Sequence, residues 1–428
     1  MRERFGLITC VLLCPLLARA QQPSSTLMAV DDLVRTGISN NKDLAALRER
    51  IGEARGLSQQ ARVRPSPVFE LSGSTAEPLG STGDHEYGAG LSQSIETFGK
   101  RGKRARVAEM SVAVAEANIN TRSAQLAYEI RAAYSEATAE RRKLKVLTNL
   151  IALNQETLRL TEARVKEGDI APLEANLLKV EIGRADVSRM SSQGRLASAE
   201  NELRRLVGMD QATGIADADV PLPPTRSLDL LKQQALQNRA DLKGARLEEE
   251  QQSAGIALAK AESKPDVTVS AGYNRQSTQF EGLYALNSAG ALSPIRDQVD
   301  VLNFGISIPL HTSRSGAGNV QAAASRASGA RLHREYLERT IPLEVEAAYQ
   351  RWRTARDSMQ LLQTGVLDQS DANLSVIREA YKLGQLRLLD VINEQRRLVD
   401  TQMQFIDAQA DVARTWAELE RASGGNLQ

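Results

Sequence analysis

Two short phrases hold the acids best placed to do chemistry. "YKLGQLRLLD" runs from 381 to 390 and "VKEGDIAPLE" from 165 to 174, so a glycine, Gly384 or Gly168, stands six positions before a carboxylate, Asp390 or Glu174. In each phrase the acid reads as a first-turn helix residue, where the macrodipole favours a negative charge whatever else the group does. The glycine reads as the turn residue between two antiparallel helices, because a left-handed backbone costs it little. A third cluster, Lys100, Arg101, Lys103, Arg104 and Arg106, is basic and sits where a strand-like run gives way to a helical one. It could in principle hold a polyanion. The whole chain, however, carries 54 Lys and Arg against 53 Asp and Glu, a net charge of +1. That balance argues against a nucleic-acid partner and for a solvated or lipid-headgroup-facing collar. His85, His311 and His333 show no metal-ligand spacing, and no glycine-rich phosphate loop is present. Neither an enzyme nor a cofactor is expected.

The N-terminus reads as an export signal. Arg2 and Arg4 precede an apolar run from Phe5 to Leu17 and then Ala18-Arg19-Ala20, the charged, apolar and small-residue order of a secretory signal peptide over residues 1–20. Both cysteines, Cys10 and Cys14, fall inside it, which leaves a chain starting at Gln21 without thiol chemistry. Thr9 and Leu13 stand where a lipoprotein site wants a small residue, so no lipid anchor is expected. Beyond the signal no apolar stretch approaches the roughly 18 to 20 residues a membrane helix needs. If this chain enters a membrane, it does so as strands.

The elements that position those phrases occur twice. At a constant offset of 216, Lys166, Gly168, Leu173 and Glu174 fall on Lys382, Gly384, Leu389 and Asp390, and Glu202, Leu203, Arg205 and Gly208 fall on Glu418, Leu419, Arg421 and Gly424. Around Tyr134 and Tyr349 the offset is 215; around Asp43-Leu44 and Asp241-Leu242 it is 198. The jump requires extra residues in the second half, and the polar stretch 276–298 reads as a loop inserted between two strands. The chain then divides at 215/216 into two halves of one plan. Each has a helical stretch (about 27–63 and 227–263), two strands (67–95 and 265–310), a long helix (98–166 and 316–382) and a second one (172–207 and 387–423). The last helix repeats Val391, Leu398, Phe405, Val412 and Leu419 at every seventh position with Ile392, Val399, Ile406 and Ala413 alongside, a stripe wide enough for neighbours on two sides. With aromatics at only 4% and no proline from Phe98 to Lys166, the fold class is α+β. Four strands cannot close a barrel, and an open sheet in lipid leaves backbone groups unpaired. Three copies contributing four strands each would close one of twelve, ringed by six helical halves.

The order and duplication of "SNNKDLAALRERIGEARGLSQQARVRPSPVFELSGS", "QNRADLKGARLEEEQQSAGIALAKAESKPDVTVSAGY", "LSQSIETFGKRGKR" and "REAYKLGQLRLLDVINEQ" resemble the TolC-like outer-membrane efflux factors over essentially the whole exported chain. Within them "IETFGKRGKR" looks most like the CzcC-type branch that serves heavy-metal cations. The resemblance implies a homotrimer with a barrel in outer-membrane lipid and a helical tunnel across the periplasm. It also implies a periplasmic adaptor and an inner-membrane resistance-nodulation-division (RND) pump as partners. On this reading Asp390 belongs to an acidic ring at the tunnel end, Asn393 takes a second ring position where some members carry an acid, and Glu174 is the first-half counterpart. Gly168 and Gly384, with Val165, Tyr381, Leu383 and Leu386, would form the tip on which the adaptor docks. Drug efflux, type I secretion and a soluble periplasmic scaffold are the alternatives.

Overall fold

A computed structural model describes residues 28–75, 84–209, 226–310, 316–383 and 385–425. The signal segment, His311 and Gly384 lie outside the described residues. The chain runs α1 (Val30–Asn40), α2 (Lys42–Ala61), β1 (Val68–Thr75), β2 (His85–Ile95), α3 (Lys100–Glu167) and α4 (Pro172–Val207). The same order recurs in α5 (Leu228–Asn238), α6 (Ala240–Glu262), β3 (Val267–Leu286), β4 (Leu292–Ser307), α7 (Ala317–Leu361), α8 (Asp368–Lys382) and α9 (Leu388–Ser423).

The two halves carry corresponding cores. In the first, Leu33, Leu44, Leu126, Ile130, Ala137, Leu203 and Leu206 are buried together. In the second, Leu231, Leu242, Ile341, Val345, Trp352, Leu419 and Ala422 are. These pair off at the same three offsets that the sequence repeat shows. Both halves break their first helical stretch at matching positions, Asn41 and Arg239, but only the first half does so with a side-chain cap. Asn41 accepts the Leu44 N–H at 3.0 Å, which caps α2, and donates its amide to the Leu206 carbonyl at 2.8 Å. A capping side chain stops a helix and starts the next. In both halves the final helix ends against this break on a left-handed glycine, Gly208 at φ +72° beside Asn40 and Gly424 at φ +82° beside Arg239.

The strands form one antiparallel sheet in the order β1-β2-β3-β4. Its registers align Phe69, Leu91, Ala271 and Phe304 in one row and Leu71, Ala89, Tyr273 and Leu302 in the next. The intervening row is Glu70, Gly90, Gly272 and Asn303. Since successive residues point to opposite faces, one face is apolar and the other polar. On the apolar face Leu71, Leu302 and Phe304 are 72, 69 and 80% exposed. No described helix is long and apolar enough to cross a membrane.

Two expectations are corrected here. Residues 276–298 are not a loop: the β3–β4 ladder continues from Gln276↔Val299 to Leu286↔Leu292, with an irregularity between Gln279 and Tyr284. The hairpin satisfies backbone groups that a long loop would leave to water. Its end is tied by Asn287, whose side chain accepts the Ala289 and Ala291 N–H groups at 3.0 Å, and by Gly290 at φ +77°. The second-half helix 316–382 is not uniform either, because a π-helical turn at Leu362–Leu367 separates α7 from α8. The repeat offset grows from 215 at Tyr349 to 216 at Lys382, and a π turn is how a helix absorbs one additional residue without rotating the turns beyond it. The first-half helix α3 needs none and runs unbroken for 68 residues, about 100 Å.

Candidate functional site: the helical tip and the sheet junction

The two turns named by the repeated phrases lie at one end of the molecule. Leu178 of α4 packs with Leu388 and Ile392 of α9 in a small core, bordered by Leu158, Leu177 and Tyr381. Gly168 closes α3 at φ +80°, and the Asp169 N–H reaches back to the Arg164 carbonyl at 3.0 Å. This six-to-one bond defines a Schellman turn. The Gln385 N–H makes the same kind of bond to Ala380 at 2.9 Å.

The two acids at this end differ in surroundings. Asp390, in the first turn of α9, is exposed and accepts the Arg387 N–H at 3.1 Å, so it caps its own helix. Asn393, one turn on, is exposed. Glu174, at the matching place in α4, is half-buried, and its Oε2 is buried with no hydrogen-bond partner among the described residues. Burial raises the Tyr381 phenol pKa, and the nearby charge of Glu174 raises it further while Arg164 opposes. Glu174 thus lies against the helical wall, and the equivalence expected between it and Asp390 does not hold in detail. The reason is packing: Tyr381 covers the start of α4.

Of the other tip residues, Val165, Tyr381 and Leu386 are half-buried, whereas Leu383 is 73% exposed. Sequence reading missed Leu173, which is 65% exposed at the same turn. It also missed the pair that ties α4 to α9. Arg396 donates from Nε to Glu181 at 2.7 Å and from Nη2 to the other carboxylate oxygen, a two-pronged bond that holds the Glu181 pKa below the usual carboxylate range. No period or motif marks such a pair in the sequence, since its members lie in opposite halves of the chain.

At the opposite end the basic cluster divides. Lys100 does not belong to a solvated collar: it is 6% exposed, donates to the Lys264 carbonyl at 2.7 Å and pairs with Asp266 at 2.9 Å. A buried ammonium needs such partners, and here they tie the start of a first-half helix to the start of a second-half strand. Arg104 pairs with Glu96 at 2.7 Å and donates to the Ala61 carbonyl at 3.2 Å. Arg101 is half-buried, and Lys103 donates to the Phe98 carbonyl at 2.9 Å. No group of three or more His, Cys, Asp or Glu side chains that could hold a metal comes together among the described residues.

A duplicated helical body with a tip at one end and a half-apolar sheet at the other matches a known family twice. Residues 33–209 and again 231–425 match the family described as outer membrane efflux protein, one match to each half. The chain belongs to the outer membrane efflux protein family. As a member, it is an outer-membrane channel protein of TolC-like fold, with its strands in the membrane and its helices in the periplasm. It is 23% identical over 389 residues to the cobalt-zinc-cadmium resistance protein CzcC of Cupriavidus metallidurans, covering 90% of this chain and 87% of that one. It is 24% identical to the cation efflux system protein CusC of Escherichia coli O157:H7 (93% and 87% covered). To the toluene efflux pump outer membrane protein TtgF of Pseudomonas putida it is 22% identical (92% and 82%). Among solved structures, that of CusC superposes with a TM-score of 0.72 at 20% identity, covering 93% of this chain and 92% of that chain. The outer membrane protein VceC of Vibrio cholerae does so at 0.71 and 20%, covering 93% and 97%.

Proposed function

We propose that this efflux protein assembles as a homotrimer and serves as the exit duct of a tripartite system that exports heavy-metal cations. Its partners would be an inner-membrane RND pump and a periplasmic adaptor. The observation that carries the trimer is the sheet: β1 and β4 each have one edge without a partner strand among the described residues, and one face is apolar. In lipid such edges must be paired, and three copies of four strands pair all of them in a closed barrel. Cargo rests on the relatives, since CzcC and CusC carry cation resistance or efflux in their names while TtgF carries toluene.

Gating rests on Asp390. Three copies around an axis would set three exposed carboxylates, then three Asn393 amides, at the narrow end, attracting cations and repelling anions. Glu174, held against the wall, would stiffen the tip and contribute less to the ring. Leu383 and Leu386, with Val165, Tyr381 and the two turn glycines Gly168 and Gly384, would take the adaptor, and Arg101 and Lys103 would face headgroups.

Single-channel conductance of the detergent-extracted protein in planar bilayers tests this reading. A cation-selective conductance whose selectivity weakens in Asp390→Ala is the expected result. An unchanged selectivity would remove the acidic gate, and a failure to insert would favour a periplasmic scaffold. Deleting the gene and comparing growth on zinc, cobalt or cadmium with growth under toluene decides the cargo.

A further inference from the structure

A cavity of about 640 Å³ lies where the two halves meet, lined by residues of α3, of the break between α5 and α6, and of the end of α9. Four arginines line it, and three of them are each held between two carboxylates. Arg122 has Asp43 and Glu129, Arg131 has Asp31 and Glu420, and Arg239 has Asp241 and Glu344. The side chain of the fourth, Arg421, makes no ion pair or hydrogen bond among the described residues, and its Nε is buried. Its guanidinium carbon lies 5.5 Å from the centre of the Tyr128 ring. The sequence repeat shows how Arg421 comes to be unpaired. Its first-half counterpart, Arg205, donates from Nε and Nη2 to Glu202 at 2.8 and 2.6 Å, one helical turn away. Glu418 stands at the matching place beside Arg421 but pairs instead with Arg351 of α7 at 2.8 Å. At the offset of 215 the first-half residue matching Arg351 is Glu136, an acid that cannot draw Glu202 away. Tyr128 matches Leu343, so only the first-half helix supplies a ring at this position.

A buried donor without an acceptor is costly, and a guanidinium resting on a ring keeps its plane while its N–H edge stays available to a partner. We propose that this cavity binds a small oxyanion, a carboxylate or a phosphate group, whose oxygens do for Arg421 what Glu202 does for Arg205. The planar fork of the guanidinium accommodates either group in a two-pronged bond, and the neighbouring arginines, already matched to their own carboxylates, do not compete for it. Tyr128 and Arg421 come from opposite halves, so the bound group also fastens α9 to α3.

Isothermal titration calorimetry of the full chain in detergent tests the site, with sodium phosphate and sodium acetate injected and sodium chloride at equal ionic strength as the reference. At least one oxyanion should bind saturably, one per chain, where chloride does not, and which of the two binds names the group. Arg421→Met should weaken that binding about tenfold or more, the loss of a charge-assisted hydrogen bond. Tyr128→Leu, which installs the residue type of the other half, should weaken it about threefold by removing the ring. Arg351→Glu leaves the cavity lining untouched and installs the residue type of the other half at the partner of Glu418. The released Glu418 should then take Arg421 as Glu202 takes Arg205 and weaken binding about twofold, so this variant carries the test should Arg421→Met fail to fold. No saturable binding by either oxyanion, equal heat from chloride, or undiminished binding in any of the three variants overturns the proposal.

Discussion

The first and second halves share a core and part company at the places where the molecule meets other things. Around α1 and α5 seven buried apolar positions match, from Leu33 and Leu231 to Leu206 and Ala422. At the tip, one half presents an exposed Asp390 and the other a half-buried Glu174. On the flanks, Arg131 is answered by Glu346. Burial against the chain's own partner helix constrains residues by volume and hydrophobicity, which both halves must satisfy. Surfaces outside that core are free to diverge, and there the two halves have done so.

The largest test of the shared core is at its least matched position. Ala137 and Trp352 occupy one place in the two halves, 0 and 1% exposed. Trp352 also lies 5.3 Å from Trp416 and beneath Arg356. Trp352→Ala should cost about 3 to 5 kcal/mol, the range for deleting a buried large aromatic. Because its Nε1 has no hydrogen-bond partner among the described residues, Trp352→Phe should cost less than half as much. Thermal unfolding of the purified protein tracked by circular dichroism measures both, and equal losses would mean the indole is not valued for packing.

Deletion of one residue separates α3 from α7. Removing Gly365 takes the additional residue out of the π turn and should leave α8 in register, with little change in melting temperature. Removing Leu150 from the uninterrupted α3 turns everything beyond it by about 100° and should abolish assembly in the outer membrane. If both deletions are equally harmful, the π turn is not an absorbed insertion.

Most of the architecture was legible because it is periodic. Alternation over 85–95 marks β2, and the heptad stripe through Val391 and Leu398 marks the two-sided helix α9, of which Val391, Ile392, Leu398, Ile406, Val412 and Leu419 are buried. What escaped is aperiodic. One added residue in a helix leaves no local trace, and only the drift in offset betrays it. Residues 276–298 resemble a loop because glycines, serines and charged residues interrupt their alternation, and Asn287 and Gly290 were the available turn signal. The fate of Lys100 depended on Asp266, a partner in the other half of the chain.

The turn glycines grade the next effect. All three of Gly424, Gly208 and Gly168 have left-handed backbones, so each replacement by Ala costs roughly 1 to 2 kcal/mol before any contact is counted. A Cβ at Gly424 would also meet the Arg239 nitrogen at 2.7 Å, at Gly208 the Asn40 oxygen at 3.0 Å, and at Gly168 nothing within 4 Å. The destabilisation by Ala should therefore fall in the order Gly424, Gly208, Gly168, read as melting temperature. A larger effect at Gly168 than at Gly424 would place unseen contacts at the tip.

The smallest effect belongs to the tie between the halves at that tip. The hydrogen bonds from Arg396 depress the Glu181 pKa, against a lesser opposing contribution from burial. A carboxylate depressed in the folded state contributes stability above its unfolded pKa, about 4.3, and that contribution is lost as pH falls through the folded value. The tip should accordingly hold α4 against α9 at pH 6 and loosen only below about pH 4. Since the Arg396 side chain is 44% exposed, solvent screening limits the gain to about 1 kcal/mol or less. Spin labels on α4 and α9 flanking the pair would report the separation. Wild type should widen on acidification, and Glu181→Gln should be wide already at neutral pH and respond less to acid. A wild-type tip indifferent to pH would leave the Leu178, Leu388 and Ile392 contact as the sole tie, and the difference between the halves at this end would then be one of packing alone.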